Sequence, residues 1–241
     1  MARQATARRA RNDPGQYDEL AGEWWAPRGA FAMLHWIAAA RAALVPPAGH
    51  PGALLLDVAC GGGLLAAHLG GKGYLHVGVD LSATATRIAR DHGIPAVAVA
   101  DARHLPYADA VVDVVVAGEI LEHVPDVSGV VAECCRVLRP GGTLVIDTIA
   151  ATPLARFLVV DVAERVPGGA PPRLHDPGLF VDRDALVGTC ASHGVALRLN
   201  GLRPSAVDLI GWLARRRGAV RMIATRSTAV LFQGAGVKEG E

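Results

Sequence analysis

From Ala53 onward, short apolar runs rich in β-branched residues alternate with stretches of helical rhythm, which confines the chain to a buried parallel sheet joined by crossover helices. The spacing predicts strands over 54–58, 75–79, 96–99, 111–117 and 143–147, with helices over 64–69, 83–92 and 127–138 between them. Arg139-Pro140-Gly141-Gly142 reads as a helix stop followed by a turn. Ahead of the sheet, 16–25 and 31–45 read as two helices broken at Pro27 and Gly29. Behind it come a helix over 153–165, a Gly- and Pro-rich loop over 167–177, a helix over 182–193 with Asp182 as N-cap, and a 205–215 helix. Closing strands are expected at 195–199 and 228–232. With 241 residues, 51% of them hydrophobic, the chain buries one sizeable core, and no linker divides it into two.

Charge narrows the partners. Lys and Arg total 24 against 23 Asp and Glu, so no global field argues for nucleic acid. Cys134 and Cys135 are adjacent, Cys60 and Cys190 isolated, and none forms a C-x-x-C pair or zinc knuckle, which suits a reduced cytoplasm. Arg3, Arg8, Arg9 and Arg11 precede no apolar stretch, so residues 1–13 read as a basic mobile tail rather than a secretory signal. Residues 14–52 then read as a helical lid, and 53–241 as the main domain with an acceptor-side insertion at about 150–181. No sequence feature sets an oligomeric state.

The first predicted strand runs into Asp57-Val58-Ala59-Cys60-Gly61-Gly62-Gly63, a glycine cluster ahead of a helix. Glycine has no Cβ, so backbone there can approach a ligand closely. The next strand ends in Asp80-Leu81, where a carboxylate can accept from both ribose hydroxyls. A dinucleotide needs G-x-G-x-x-G with its pyrophosphate at the helix N-terminus. Here the glycines run consecutively and Asp57 would repel a diphosphate. A carboxylate suits a cationic amino-acid moiety, as in S-adenosylmethionine (AdoMet). Cys60, Gly61 and Gly63 of the loop join this expected site. At the third strand end, Asp101 can accept from an adenine amino group while the Ala102 N–H donates to a ring nitrogen. The plain alternative for Asp101 is a helix cap or a solvated loop residue.

These pieces, with Asp113 in the fourth strand and Arg139-Pro140-Gly141-Gly142 before the fifth, resemble the class I AdoMet-dependent methyltransferases over about 53–149. Glu23-Trp24-Trp25, Leu34-His35, Arg41, the 57–63 loop, Glu119-Ile120-Leu121-Glu122-His123-Val124-Pro125-Asp126 and His175-Asp176 look like the ubiquinone-biosynthesis O-methyltransferases, which methylate polyprenyl catechols. The resemblance implies a Rossmann-like seven-stranded α/β sheet, mostly parallel with one antiparallel strand, helices on both faces and extra N-terminal helices. It implies AdoMet contacts at Arg41, Ala59, Asp80 and Gly118. The family carries glycine where this chain has Ala59. Downstream of Ile149, where such enzymes recognise their acceptor, the resemblance thins.

Glu119, Glu122 and His123 offer oxygen and nitrogen ligands within one turn, and a Mg²⁺ ion held there would lower a catechol hydroxyl's pKa. The resemblance implies a divalent site at the same positions. Other readings stay open: Glu119 holds the cofactor or a backbone N–H, Glu122 and His123 cap the following helix, or His123 is a metal-free general base. His175 is a weaker candidate for that base, and Glu122 joins the catalytic set.

Trp24, Trp25, Phe31, Met33 and Trp36 cluster before the sheet, either as ordinary packing or as aromatic walls for a planar or isoprenoid acceptor. The 154–166 stretch takes the place of the relatives' membrane-associating insertion, with Arg156 and Arg165 available to anionic headgroups, core packing being the alternative. That places the protein in the cytoplasm with peripheral contact at the inner face of the membrane as a further expectation. Arg215, Arg216, Arg217, Arg221 and Arg226 read as a solvated face or as aid to a membrane or phosphorylated acceptor. The leading function is AdoMet-dependent O-methylation of a phenolic or catecholic small molecule, a quinone precursor or secondary metabolite. The alternatives are N- or C-methylation and a non-catalytic methyltransferase-fold subunit, which Ala59 favours and the acid set opposes.

Overall fold

The computed structural model describes residues 9–166, 169–215 and 218–240. Its core is a sheet ordered β3-β2-β1-β4-β5-β8-β6-β7. The strands are β1 (Leu54–Val58), β2 (Leu75–Asp80), β3 (Ala96–Val99), β4 (Val112–Gly118), β5 (Leu138–Ile149), β6 (Arg198–Pro204), β7 (Met222–Thr225) and β8 (Leu231–Val237). β1 to β5 pair in parallel. β8 pairs antiparallel with both β5 and β6, and β7 antiparallel with β6.

β1 and β4 are the most enclosed strands: Leu55, Leu56, Val58, Val115 and Val116 have no exposed surface. Both faces of these strands are covered, as a parallel sheet requires. One face packs against α4 (Val127–Val137) and α6 (Arg183–Ser192) through Val130, Val131, Cys134 and Cys190. The other packs on α2 (Ala32–Leu44) through Ala42, beside Val45 and Leu65. Cys60, Cys134, Cys135 and Cys190 are all buried and free.

The sequence reading differs from this architecture in several places. Among the described residues there are eight strands rather than seven, and two, β7 and β8, run against the rest. β7 is a four-residue edge strand whose two central residues are exposed, too short for a periodic signal. β6 and β8 lie three residues later than expected at their starts, because their glycines admit close neighbours: a Cβ on Gly234 would stand 2.9 Å from the Arg198 carbonyl oxygen. Arg139-Pro140-Gly141-Gly142 lies inside β5, where the pairing with β4 shifts register between Val112 and Val114 and Gly141 takes φ +76°. The 16–25 helix is α1 (Gly15–Glu19) followed by a 3₁₀ turn, Ala21–Glu23.

The 153–165 stretch is likewise composite: α5 (Pro153–Arg156), a π-helical stretch (Phe157–Val162) and a 3₁₀ turn (Ala163–Arg165). Ala155, Val159 and Val160 pack with Ile149 and Phe180, while Leu154, Phe157, Leu158 and Val162 stay exposed. Residues 1–8 of the expected tail, 167–168 of the Gly/Pro loop, and Arg216 and Arg217 lie outside the described residues. Arg9 to Asp13 are fixed in place: the Asn12 N–H donates to the Arg173 carbonyl, and Arg11 pairs with Glu164.

α7 (Ala206–Arg215) reaches the N-terminal segment through Trp212, set edge-on to Trp36 with ring centroids 5.0 Å apart. Asp182 caps α6, its Oδ1 accepting from the Ala185 N–H at 2.9 Å. Asp182→Ala is therefore expected to destabilise the fold by about 1 kcal/mol, seen in urea unfolding as a lower midpoint at unchanged m value.

Candidate active site

The C-terminal ends of β1, β2 and β4 open onto a cavity of about 500 Å³. In an open parallel sheet this edge is where ligands bind, because the loops there diverge and leave a crevice. Asp57, Asp80 and Asp101 all line it, together with Arg41, Ala59, Cys60, Gly61, Leu81, Ala102, Gly118, Glu119, His123 and His175. Two expected site residues do not. Gly63 faces α3 (Ala83–Asp91), where a Cβ would come within 3.0 Å of the Ala89 Cα, so its lack of a side chain serves packing. Glu122 is fully buried behind the cavity wall, its Oε2 accepting from the Thr148 hydroxyl at 2.6 Å.

The first loop is tied to β2 by Asp80, whose Oδ2 accepts from the Gly61 N–H at 2.9 Å and Oδ1 from the Ser82 N–H at 2.8 Å. Burial pushes its carboxyl upward and these two N–H groups oppose the push. Each oxygen keeps further acceptor capacity toward the cavity. Asp57, on β1, lies 3.6 Å from the ring of buried His76 on β2. Asp101 is turned toward its own loop: Arg103 donates to it from the backbone and from both Nε and Nη2. Those hydrogen bonds hold Asp101 down to about 2, so it remains an acceptor, oriented chiefly by Arg103.

Backbone strain concentrates at the same edge. Ala59 has φ +56° and Glu119 φ +53°, a region where a Cβ crowds the backbone and costs about 1–2 kcal/mol. Gly118, preceding Glu119, has a different reason to be glycine. A Cβ there would stand 1.9 Å from Arg41 Nε, so the arginine crosses the strand end through the space that glycine leaves. Arg41 is buried and binds Asp147 at the end of β5 through two nitrogens: Nε, and Nη2 at 2.8 Å from Oδ1. Burial opposes its charge, but Asp147, aided by Asp57 and Glu119, outweighs burial and keeps the guanidinium protonated. Glu119 sits against this pair with Oε1 unpartnered, and burial together with Glu122 and Asp147 raises its carboxyl well above the usual range.

His123 is held by the N-terminal segment. Asn12 Nδ2 donates to the His123 carbonyl at 2.8 Å, which leaves Asn12 Oδ1 to accept from Nδ1 at 2.6 Å. The proton is thus on Nδ1, and Nε2 presents its lone pair to the Tyr17 hydroxyl at 3.1 Å. Desolvation lowers His123 to about 3, so the ring is neutral in the folded protein. His175 stacks on it with centroids 5.5 Å apart. The expected metal set Glu119, Glu122 and His123 is not assembled. Glu122 turns to Thr148, both His123 nitrogens face Asn12 and Tyr17, and among the described residues no three His, Cys, Asp or Glu side chains are grouped to hold an ion.

Sequence reasoning missed Asn12, Tyr17 and Asp147. Asp147 ends a predicted strand, a position where Asp57 and Asp80 had already been singled out, and that was its only signal. Trp24 was read as packing or an acceptor wall, yet its indole lies along the glycine loop: Cβ atoms on Gly61 and Gly62 would meet it at 2.5 Å and 2.6 Å. Trp25 pins the same loop, its Nε1 donating to the Gly62 carbonyl at 2.8 Å.

Residues 56–146 match the protein family described as Methyltransferase domain. The chain is 34% identical over 229 residues to the ubiquinone biosynthesis O-methyltransferase of Ralstonia nicotianae, covering 90% of this chain and 96% of that protein. The enzyme of the same name from Chelativorans sp. is 34% identical, covering 78% and 83%. Among solved structures, a SAM-dependent methyltransferase from Thermotoga maritima superposes with a TM-score of 0.63 at 17% identity, covering 93% of this chain and 95% of that one. A geranyl diphosphate methyltransferase superposes at 0.56 with 19% identity, covering 84% and 77%.

Glu164, beside His175, contributes to the pH dependence of stability. Burial alone would raise its carboxyl, but hydrogen bonds from the His175 and Arg173 N–H groups and from Arg11 bring it down to about 2. A depressed acid stabilises the fold above its ordinary value near 4.5 and loses that contribution as pH falls toward 2. Glu164→Gln should therefore lower stability at pH 7 and flatten the acid limb of the unfolding profile between those pH values.

Proposed function

The chain belongs to the ubiquinone biosynthesis O-methyltransferases, and on that footing we propose that its cavity seats AdoMet with the adenosine toward Asp80 and Ala102 and the amino-acid end toward Asp57, Gly61 and Arg41. The protein is an AdoMet-dependent O-methyltransferase. The acceptor we assign is a catechol-type quinone precursor carrying an apolar tail. The observation that carries this reading is the meeting of three strand-end acids, a glycine backbone and one neutral imidazole on a single cavity wall.

The residues fit the cofactor by charge. Asp57, Asp80 and Glu119 face the cavity near a single buried guanidinium, and Arg41 has already committed two nitrogens to Asp147. A sulfonium and an ammonium offset that acidity, and the guanidinium's remaining nitrogen is a donor for a carboxylate. When bound, AdoMet supplies an activated methyl group, and the protein's share of the work is positioning, water exclusion and removal of one proton.

That proton goes to His123 Nε2 as the methyl–oxygen bond forms, when the acceptor oxygen becomes acidic enough for an imidazole whose basicity burial has lowered. Asn12 fixes the tautomer, so the free lone pair points at the Tyr17 hydroxyl, and with both residues lining the cavity that hydroxyl serves as the relay. Burial, with Glu122 and Glu119 adding to it, raises the Tyr17 phenol, which keeps the relay proton in place at neutral pH. His175, stacked on His123 and held by Glu164, keeps the ring from tilting. No step is assigned to a divalent ion, because two of the three side chains expected to bind one, Glu122 and His123, are engaged elsewhere.

The exposed Leu154, Phe157, Leu158 and Val162 beside Arg156 and Arg165 support peripheral contact with an anionic membrane, from which a lipid-tailed acceptor enters. No helix among the described residues is long and apolar enough to cross one.

Calorimetry tests the donor half: S-adenosylhomocysteine binds the wild type, and Asp80→Ala abolishes the heat. Absence of binding to the wild type ends the reading. For the acceptor half, His123→Ala should lower turnover of a polyprenyl catechol by about 10²–10⁴-fold with S-adenosylhomocysteine affinity unchanged, and EDTA should leave wild-type turnover intact. A rate that collapses on chelation and returns with Mg²⁺ would restore the metal mechanism. In vesicle sedimentation, the double change Leu154→Ser and Phe157→Ser should release the protein from anionic liposomes.

A further inference from the structure

Trp24 carries a polar atom that the fold leaves without a partner. Its side chain is 6% exposed, and its indole Nε1 has no hydrogen-bond partner. The ring is held firmly around that atom. It stacks on Phe31 with centroids 4.3 Å apart, and less closely on Tyr17 at 6.1 Å. Its carbonyl accepts from His35 Nε2 at 2.8 Å. An indole nitrogen is a donor only, and a buried donor left unmet is a cost that native folds rarely accept without a use for it.

The position of the ring says what that use is. Trp24 lines the same cavity as Asp57 and Arg41. The six-membered ring lies against Gly61 and the five-membered ring against Gly62, so the indole roofs the loop that follows β1. The neighbouring strand β4 ends at Gly118, through which Arg41 reaches the cavity. An amino-acid group bound between these two strand ends has opposite needs at its two charges. Its ammonium is met by Asp57. Its carboxylate requires donors: Arg41 keeps one nitrogen outside its pair with Asp147, and Trp24, among the residues lining the cavity, carries a buried indole N–H with no partner.

We propose that Trp24 is a cofactor-binding residue, its Nε1–H donating to the carboxylate of the amino-acid end of AdoMet while the ring closes the glycine loop over it. This rests on the reading of the cavity as an AdoMet site. It reassigns Trp24 from the acceptor to the donor, and it gives the consecutive glycines a second purpose. Gly61 and Gly62 make room for a tryptophan, and the tryptophan returns the hydrogen bond that a loop of glycines cannot make with side chains.

The test compares two ligands that share adenosine and thioether but differ in the amino-acid end: S-adenosylhomocysteine and 5′-methylthioadenosine. Trp24→Phe keeps an aromatic ring beside Phe31 and Tyr17 and removes the donor together with one ring of the indole, and 5′-methylthioadenosine controls for that lost packing. The substitution should weaken S-adenosylhomocysteine by about tenfold to a hundredfold and leave 5′-methylthioadenosine unaffected. In ¹⁵N-labelled wild type, the indole N–H resonance that disappears in Trp24→Phe should shift on titration with S-adenosylhomocysteine and stay in place with 5′-methylthioadenosine. Equal losses for both ligands, or an indole resonance that S-adenosylhomocysteine does not move, would assign Trp24 to packing alone and overturn the proposal. A wild type that binds neither ligand would instead overturn the AdoMet reading on which it stands.

Discussion

The ion pair between Arg41 and Asp147 holds the site together. It joins α2, ahead of the sheet, to the end of β5 across the mouth of β4, and it does so inside the protein, where both side chains are almost wholly shielded. A buried pair of this kind contributes little net stability over an apolar pair of the same shape, yet losing one partner strands the other charge at a cost of about 3–5 kcal/mol. The geometry therefore cannot relax piecemeal. Gly118 is fixed because the arginine passes over it, Glu119 is forced into a left-handed backbone, and the N-terminal helix is anchored where it covers the cavity.

Around that pair the site is assembled from unequal charges. Asp57, Asp80, Glu119 and Asp147 gather near one guanidinium, and burial raises Glu119 and Asp80 because so many negative groups cannot all be solvated there. That polarity is what the proposed seating of a sulfonium and an ammonium rests on. The acceptor side is different in kind: a neutral His123, a Tyr17 hydroxyl and the Asn12 amide form a chain of directed hydrogen bonds without net charge. In the proposed reading, the donor and acceptor halves meet at Glu119 and His123, four residues apart, one half electrostatic and the other a proton path.

The N-terminal segment is what completes both halves. Asn12 and Tyr17 set the imidazole, Trp24 and Trp25 close the glycine loop, and Arg11 reaches Glu164 beside His175. Read as a sequence, Arg11 and Asn12 belonged to a basic tail, since an Arg-rich stretch with no apolar rhythm gives no sign of a docking partner. Glu122 was misplaced for a related reason. Its position in E-x-x-E-H suggests a ligand, but the 3₁₀ turn at Leu121–His123 rotates it inward to Thr148, and nothing in five letters records that rotation.

By itself the sequence determined the parallel half of the sheet and its acids. β1 and β3 fall at their expected residues, and Asp57, Asp80 and Asp101 share the cavity, because a short apolar run, glycine and strand-end position are all local properties. The tertiary structure decided which groups meet. Arg41 and Asp147 are 106 residues apart and Asn12 and His123 are 111 apart, and contacts over such separations leave no periodic trace in the chain. It also decided the antiparallel edge, where glycine-rich β6 and β8 and the short β7 are held by each other's backbones rather than by an apolar pattern of their own.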